Sequence, residues 1–160
     1  MKRFFLAAMV ASSLAGCASY SGLANQPGVT ADVVLARLGE PTHRYERNGT
    51  EIWEYDRGVY SYYGYHFEFD ADHSLVRYVQ TRTEKNAATI ALHTATEDDV
   101  KAIIGWPVRD HVVRGNRIWE WPMVNYVGLP ARLVVQFADD GTVSFVGSYA
   151  LPRGAPRGRS

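Results

Sequence analysis

The side chains able to do chemistry are sparse and scattered along this sequence. None of its five histidines has a second histidine at i+4 or belongs to a His-x-Glu-x-x-His spacing, so a zinc site has little support. A calcium loop needs six or more oxygen ligands, and the short acidic runs at 70–72 and 139–140 are typical of hairpin turns instead. The sequence has neither a Gly-x-Ser-x-Gly elbow nor a Walker A loop. We therefore predict a non-enzymatic protein without a metal or cofactor.

The single cysteine is the one side chain with a clear chemical fate. Cys17 follows Leu14, Ala15 and Gly16, and Lys2 and Arg3 precede an apolar stretch that ends at Leu14. That stretch has about 11 residues, which is typical of a signal peptide and shorter than the ~20 needed to span a bilayer. The Leu-Ala-Gly-Cys sequence resembles the bacterial lipobox, in which the cysteine is acylated before cleavage. We expect a signal peptide over 1–16 and a lipid anchor on Cys17.

The residue after the cysteine bears on localisation. In the lipoprotein family, Asp at this place is typical of retention in the inner membrane, and this chain has Ala18. The resemblance therefore implies the periplasmic face of the outer membrane. Acyl chains hold a protein there firmly, since each buried methylene contributes about 0.8 kcal/mol.

Charge and composition exclude a nucleic-acid binder. The 160 residues include 17 basic and 17 acidic ones, and removal of Lys2 and Arg3 leaves a slight acidic excess. Residues 17–28 are polar and lack periodicity, which predicts a tether, and 152–160 contain Pro, Gly and Arg, which predicts a disordered basic tail.

The mature chain contains an internal repeat. At an offset of 66 residues, the segment that begins at Thr30 matches the one that begins at Thr96, and the match includes Gly39/Gly105, Pro41/Pro107, Gly49/Gly115 and Ile52-Trp53-Glu54/Ile118-Trp119-Glu120. Further on the offset becomes 68 and aligns Phe67 to Asp72 with Val135 to Asp140. We therefore expect a first repeat over 29–83, a connector over 84–95 that is Ala-rich and helical, and a second repeat over 96–151.

Each repeat predicts a short helix followed by about four antiparallel strands. Thr30 or Thr96 is placed as an N-cap, and Gly39 or Gly105 as a left-handed residue after the helix. Asn48-Gly49 predicts a type I′ hairpin between strands 43–47 and 50–56, and aromatic residues alternate in the third strand. The predicted fold is α+β, with two tandem helix-plus-antiparallel-sheet repeats. Since each is small, we expect them to pack around a shared interior.

Two glutamates and a run of tyrosines are the remaining candidates for function. Glu54 and Glu120 occupy equivalent positions, which favours cross-strand pairing with Arg or Lys over a unique active site. If Tyr65 and Phe67 face the core, then Tyr60, Tyr62 and His66 lie on the opposite face, with Tyr126 near the matching place in the second repeat. Exposed tyrosines are typical of protein interfaces, so we consider these four residues candidates for partner binding. The alternative is that the other repeat or the connector covers this face.

The pattern Thr-x-x-x-Val-x-x-x-Leu-Gly-x-Pro, then Gly-x-x-x-Trp-x-Tyr and an aromatic strand ending in Phe-Asp, resembles the SmpA/OmlA/BamE lipoprotein domain. It is carried by Thr30, Val34, Leu38, Gly39, Pro41, Gly49, Trp53, Tyr55, Phe67, Phe69 and Asp70. The family's fold is also related to the tandem β-lactamase inhibitor proteins. The resemblance implies a non-catalytic envelope lipoprotein that supports outer-membrane assembly or integrity. This sequence has two copies of the domain, and in this it differs from the best known family member, an accessory of the β-barrel assembly machinery.

Three hypotheses follow for function. The first is a lipid-anchored scaffold that binds a periplasmic or outer-membrane protein. The second, from the tandem layout, is an inhibitor of a periplasmic enzyme such as a β-lactamase or a cell-wall hydrolase. The third is a carrier of a small ligand or lipid, for which bulky Trp and Phe interiors leave little room.

Overall fold

The computed structural model describes residues 20–56 and 61–152, which form two four-stranded antiparallel sheets and four short helices. In chain order the elements are α1 (Tyr20–Ala24), α2 (Ala31–Leu38), β1 (His43–Arg47), β2 (Thr50–Asp56), β3 (Gly64–Phe69), β4 (Leu75–Gln80), α3 (Glu84–Ala87), α4 (Glu97–Ile104), β5 (Arg109–Val113), β6 (Asn116–Val124), β7 (Pro130–Phe137) and β8 (Val143–Ala150). The predicted signal peptide, Cys17, Tyr60 and nearly all of the predicted tail lie outside the described residues.

Consecutive strands pair in both sheets, in the orders β1-β2-β3-β4 and β5-β6-β7-β8. The hairpin turn between β1 and β2 has positive φ at both Asn48 (53°) and Gly49 (77°), as a type I′ turn requires. Arg114 and Gly115 repeat these signs between β5 and β6. The predicted bounds of β1 and β2 are therefore confirmed.

The two sheets have the same strand register at corresponding positions. Trp53 lies opposite Phe67 in the first sheet, and Trp119 lies opposite Val135 in the second. Those pairs are related by the offsets of 66 and 68 residues seen in the sequence. Each sheet also has an irregularity in its register just before the last paired residue of its third strand, at Glu68/Phe69 and Gln136/Phe137.

The expected α+β class, with two helix-plus-sheet repeats, is wrong. The described chain is mostly β, and its four helices have only 5, 8, 4 and 8 residues. An eight-residue helix turns only one or two side chains inward, such as Ala31 and Val34 of α2, whereas alternate residues of the strands supply most of the buried side chains.

The shared interior is also corrected, because each sheet has its own apolar cluster. The first contains Leu23, Val34, Trp53, Phe67 and Phe69. The second cluster collects the corresponding face of the other sheet and is built from Val100, Ile104, Trp119, Trp121, Leu133, Val135 and Phe137, among others. The aromatic faces of β2 and β6 are core faces, as the alternation predicts.

Helix ends follow the sequence only in part. At α4, the Thr96 hydroxyl accepts the Asp99 N–H, and the Asp99 carboxylate accepts the Thr96 N–H at 2.8 Å, so the expected N-cap forms a capping box. Thr30 occupies the N-cap of α2 but makes no side-chain capping bond. Gly39 and Gly105 have positive φ with ψ near 180° instead of the left-handed helical values, a region that is almost exclusive to glycine.

The predicted tether and connector both contribute to the cores. Residues Tyr20–Ala24 form α1, and its Leu23 is 2% exposed, so the tether cannot extend to residue 28. The connector is helical over Glu84–Ala87 only, and its Ala87 and Ile90 belong to the second cluster. None of the helices within these described ranges is long and apolar enough to cross a bilayer.

Candidate partner-binding surface

The four predicted partner-binding residues do not share one surface. Tyr126 is 88% exposed, Tyr62 is half-buried, and Tyr60 lies outside the described residues. His66 is fully buried, so its expected exposure is corrected. The alternative from the sequence holds for this residue, because the outer face of the first sheet is covered by α4 from the second half of the chain.

Tyr126 belongs to the connection between β6 and β7, residues 125–129, which we call the Tyr126 loop. Tyr126, Val127 (57%) and Leu129 (41%) expose large apolar side chains there. Such side chains outside a core are a common feature of binding sites when they lie next to one another. The loop is therefore the candidate surface that the described residues support best.

The backbone of the Tyr126 loop is held by side chains. The Asn125 Oδ1 atom accepts the N–H groups of Val127 (3.2 Å) and Leu129 (2.9 Å), and Gly128 has φ of 82° at the turn. The Glu84 carboxylate accepts the Tyr126 N–H at 3.0 Å. A loop fixed in this way loses little conformational entropy on binding.

The corresponding loop of the first sheet is tied to the same segment of chain. Arg82 Nη1 donates to the carbonyl oxygen of Ser61 at 3.0 Å, two residues before the Glu84 that holds Tyr126. Close to Ser61, Tyr63 is 44% exposed. Thus the two tyrosine-bearing loops are held by Arg82 and Glu84, which are two residues apart, or about 7 Å along an extended chain.

A buried polar junction joins the first sheet to the end of α4, and the sequence analysis missed it. Glu54, His66 and Arg82 are all 0–1% exposed. The Glu54 carboxylate accepts the Trp106 N–H at 2.9 and 3.2 Å, while its distances to His66 Nε2 (3.8 Å) and Arg82 Nη2 (3.9 Å) exceed hydrogen-bond range. Arg82 also pairs with the carboxylate of Asp56.

Further contacts complete the junction on either side of Glu54. The Tyr45 hydroxyl donates to the Lys101 carbonyl at 3.2 Å, His43 stacks on Trp106 at 4.8 Å, and Arg47 pairs with Asp99 at 2.5 Å. Burial, together with the nearby Glu54 and Glu68 carboxylates, raises the pKa of the Tyr45 hydroxyl well above its usual value. Tyr45 is therefore a neutral donor at physiological pH.

Glu120 confirms the expected cross-strand pairing more directly than Glu54 does. It lies opposite Arg109 on β5, and its Oε2 atom is 3.8 Å from both Arg109 Nη1 and Arg132 Nε. Within residues 20–56 and 61–152, Glu120 Oε2 accepts no hydrogen bond although it is buried. The repeated glutamate was a usable signal for Glu120, whereas nothing in the sequence placed Trp106 against Glu54.

Ligand sites in the described ranges are limited. A cleft of about 300 Å³ lies beside the junction, and its lining is largely polar and charged: Tyr45, Glu46, Arg47, Asp98, Lys101 and Trp106. Among these residues and the rest of the described chain, no group of three His, Cys, Asp or Glu side chains is placed to hold a metal ion.

Comparisons with known proteins do not assign the chain to a family. No family model and no curated protein matches it. Among solved structures, a DUF4309 family protein (YjgB) from Bacillus subtilis is 20% identical, with a TM-score of 0.32, over 76% of this chain and 78% of that one. An extracellular protein containing a SCP domain from Bacillus anthracis is 14% identical, with a TM-score of 0.30, over 77% of this chain and 43% of the other. Likenesses this distant assign neither a fold family nor a function to the chain.

Proposed function

We propose that this chain is a non-catalytic, lipid-anchored scaffold of the bacterial envelope that binds another envelope protein through the Tyr126 loop. The observation that carries the proposal is that the loop is both exposed and fixed. Tyr126 presents 88% of its surface while Asn125 and Glu84 hold the surrounding backbone. An aromatic side chain on a rigid loop buries a large area at low entropic cost.

The envelope location and the lipid rest on the sequence. The Leu-Ala-Gly-Cys17 motif supports acylation, and Ala18 supports the outer membrane. The resemblance to the SmpA/OmlA/BamE domain supports a role in outer-membrane assembly or integrity. The expected partner is therefore a periplasmic or outer-membrane protein with an apolar recess.

Site-specific photocrosslinking in intact cells tests the proposal. A photoreactive residue at position 126 should capture one protein partner, whereas the same residue at Asp72, exposed in the turn between β3 and β4, should not. Adding Val127→Asp should abolish capture at 126, because an unpaired charge would enter the apolar contact. Identical products from positions 126 and 72, or a product that survives Val127→Asp, would overturn the proposal.

A projecting, rigid tip is also the shape that enters the cleft of an enzyme, which supports the inhibitor as a second candidate. Tyr126 and Val127 form that tip. Stoichiometric loss of activity when the protein is mixed with β-lactamases or cell-wall hydrolases, and its recovery with Tyr126→Ala, would favour this candidate. Unchanged activity with every enzyme at a tenfold molar excess of the chain would exclude those targets.

A further inference from the structure

Corresponding faces of the two sheets have different surroundings. The outer face of the first sheet, which carries Tyr45, Glu54 and His66, is covered by α4 and Trp106. The outer face of the second sheet carries the corresponding residues His111, Glu120 and Val134. This face is open at its edge, where Arg109 (62% of the side chain) and Val113 (44%) are exposed.

The helix α2 lacks the sheet contact that the corresponding helix α4 makes. The helix α2 corresponds to α4 at the offset of 66. One side of α4 packs on the first sheet, and the corresponding side of α2 is exposed. Gly39 and Glu40 are exposed, whereas Gly105, which corresponds to Gly39, is buried against Glu54. Val33 is 36% exposed, and it corresponds to Asp99. The chain therefore has one sheet face with an exposed edge and one helix with an exposed side, and these correspond to the two sides of its own internal junction.

The residues on these two free surfaces are complementary position by position. In the internal junction Arg47 on the sheet pairs with Asp99 on the helix, and the corresponding free residues are Val113 and Val33. An ion pair on the inside thus corresponds to an apolar pair on the outside. Both valines are exposed in the single chain, where they have no favourable contact to make with water.

At a second pair of positions, an aromatic contact in the junction corresponds to two opposite charges on the free surfaces. His43 stacks on Trp106 in the junction, and the corresponding free residues are Arg109 and Glu40. These carry opposite charges and are 62% and 78% exposed. The nearby cation of Glu40 in the single chain is Arg44 at 2.7 Å, an exposed pair of the kind that contributes little.

The buried carboxylate supplies the third correspondence. Glu54 Oε2 accepts the Trp106 N–H, and the corresponding groups are Glu120 Oε2 and the Glu40 N–H. Glu120 Oε2 is the buried oxygen that accepts no hydrogen bond within the described residues. A buried acceptor left unpaired is costly, and a backbone N–H arriving at this place would satisfy it.

We propose that copies of this chain associate head to tail, with α2 of one copy covering the outer face of the second sheet of the next. The contact reproduces the internal junction between α4 and the first sheet, with Val33 against Val113, Glu40 against Arg109 and the Glu40 N–H on Glu120. Because the two surfaces of one chain differ, the interface is heterologous and extends into a ring or a filament.

Introducing the ion pair of the internal junction at the corresponding free positions tests the register of this contact. Val113→Arg and Val33→Asp together copy the internal Arg47–Asp99 pair onto the free surfaces. Each variant alone places an unpaired charge against valine and should weaken association roughly tenfold or more. The double variant should associate like the unchanged protein. Sedimentation velocity of the protein as cells produce it, purified in mild detergent, measures all four.

Mixing the two single variants gives the sharper result. Each single variant associates weakly by itself, but an equimolar mixture should associate like the unchanged protein. In the mixture the arginine introduced at position 113 of one chain meets the aspartate introduced at position 33 of the other, and the remaining valine surfaces also match. Val76→Arg is the control, since Val76 is a 58% exposed valine on β4 outside both surfaces, and it should change nothing. A monomeric unchanged protein, association that survives both single variants, or a mixture that stays monomeric would overturn the proposal. Photocrosslinks from position 113 into residues 153–160 of the same chain would also overturn it.

Discussion

The Glu54 carboxylate accepts the backbone N–H of Trp106 at 2.9 Å, although the two residues are 52 positions apart and belong to different halves of the chain. The carboxylate is fully buried, and the neighbouring His66 and Arg82 side chains are buried with it. Buried ionic groups of this kind contribute more to the choice of one geometry than to net stability. Glu54 therefore fixes where the end of α4 meets the first sheet.

Removal of the Glu54 carboxylate should cost far more than removal of its counterpart. Glu54→Leu leaves the Trp106 N–H without its acceptor, while Arg82 keeps its pair with Asp56, and the variant should lower the free energy of unfolding by about 3 kcal/mol. Glu120→Leu removes a buried carboxylate whose Oε2 atom accepts no hydrogen bond from the described residues and whose neighbouring arginines are partly exposed, and should cost about 1 kcal/mol. Urea denaturation followed by tryptophan fluorescence compares them. Equal losses would contradict the role assigned to Glu54.

Gly105 is constrained by contact as well as by backbone conformation. A Cβ atom there would lie 2.5 Å from Glu54 Oε1, and φ is 99°; at Gly39, φ is 77° but no atom lies within 4 Å of the added Cβ. Both Gly→Ala variants should lose about 1 kcal/mol to backbone strain. Gly105→Ala should lose about 2 kcal/mol more, because Glu54 has to move. Thermal unfolding measures the difference, and similar melting temperatures for both variants would refute the close approach.

Acid should weaken the start of α4. The Thr96 backbone N–H, the Thr96 hydroxyl and Arg47 lower the pKa of Asp99. Because the folded pKa lies below the unfolded one, the stabilisation is complete above about pH 4 and is lost as the pH falls through the folded value. A carboxyl NMR titration should place the Asp99 midpoint below about 3.9. Thr96→Ala, which removes the hydroxyl but keeps the backbone N–H, and Arg47→Ala should each raise it, and a midpoint unchanged in both variants would contradict these causes.

Lipidation at Cys17 should decide where the protein fractionates. The unchanged chain should incorporate labelled palmitate and sediment with outer membranes, whereas Cys17→Ser should incorporate none and leave the membrane fraction. Ala18→Asp keeps the thiol and should move the acylated protein to the inner membrane. A mature protein with an unmodified thiol would contradict the lipobox interpretation.

Local patterns predicted the strands well. Asn48-Gly49 and the alternation around Trp53 gave the bounds of β1 and β2, since a type I′ turn and a two-residue period are properties of neighbouring residues. The helical content was overestimated, because Ala-rich composition in 84–93 supports a helix only where a cap such as Thr83 starts it, and there it continues for four residues.

The junction lay beyond such patterns. His66 was expected on an exposed face because β3 alternates, and the alternation is correct: His66 does lie on the face opposite Phe67. Its burial depends on α4 crossing that face, and no local property of residues 60–69 encodes a helix that begins at Glu97. Tyr126 was singled out because it lies near the place in the second repeat that matches the tyrosines of the first, whereas the fixed backbone of its loop depends on Glu84, 42 positions away.

The position of α1 limits how far the protein can stand from a bilayer. Leu23 is inserted in the first core, so the folded body includes α1 from Tyr20 onwards. Under the proposed acylation of Cys17, only Ala18 and Ser19 separate the anchor from that body, a reach of about 10 Å at full extension. The domain would then rest against the lipid headgroups, and its partners would have to be met at the membrane surface instead of across the periplasmic gap.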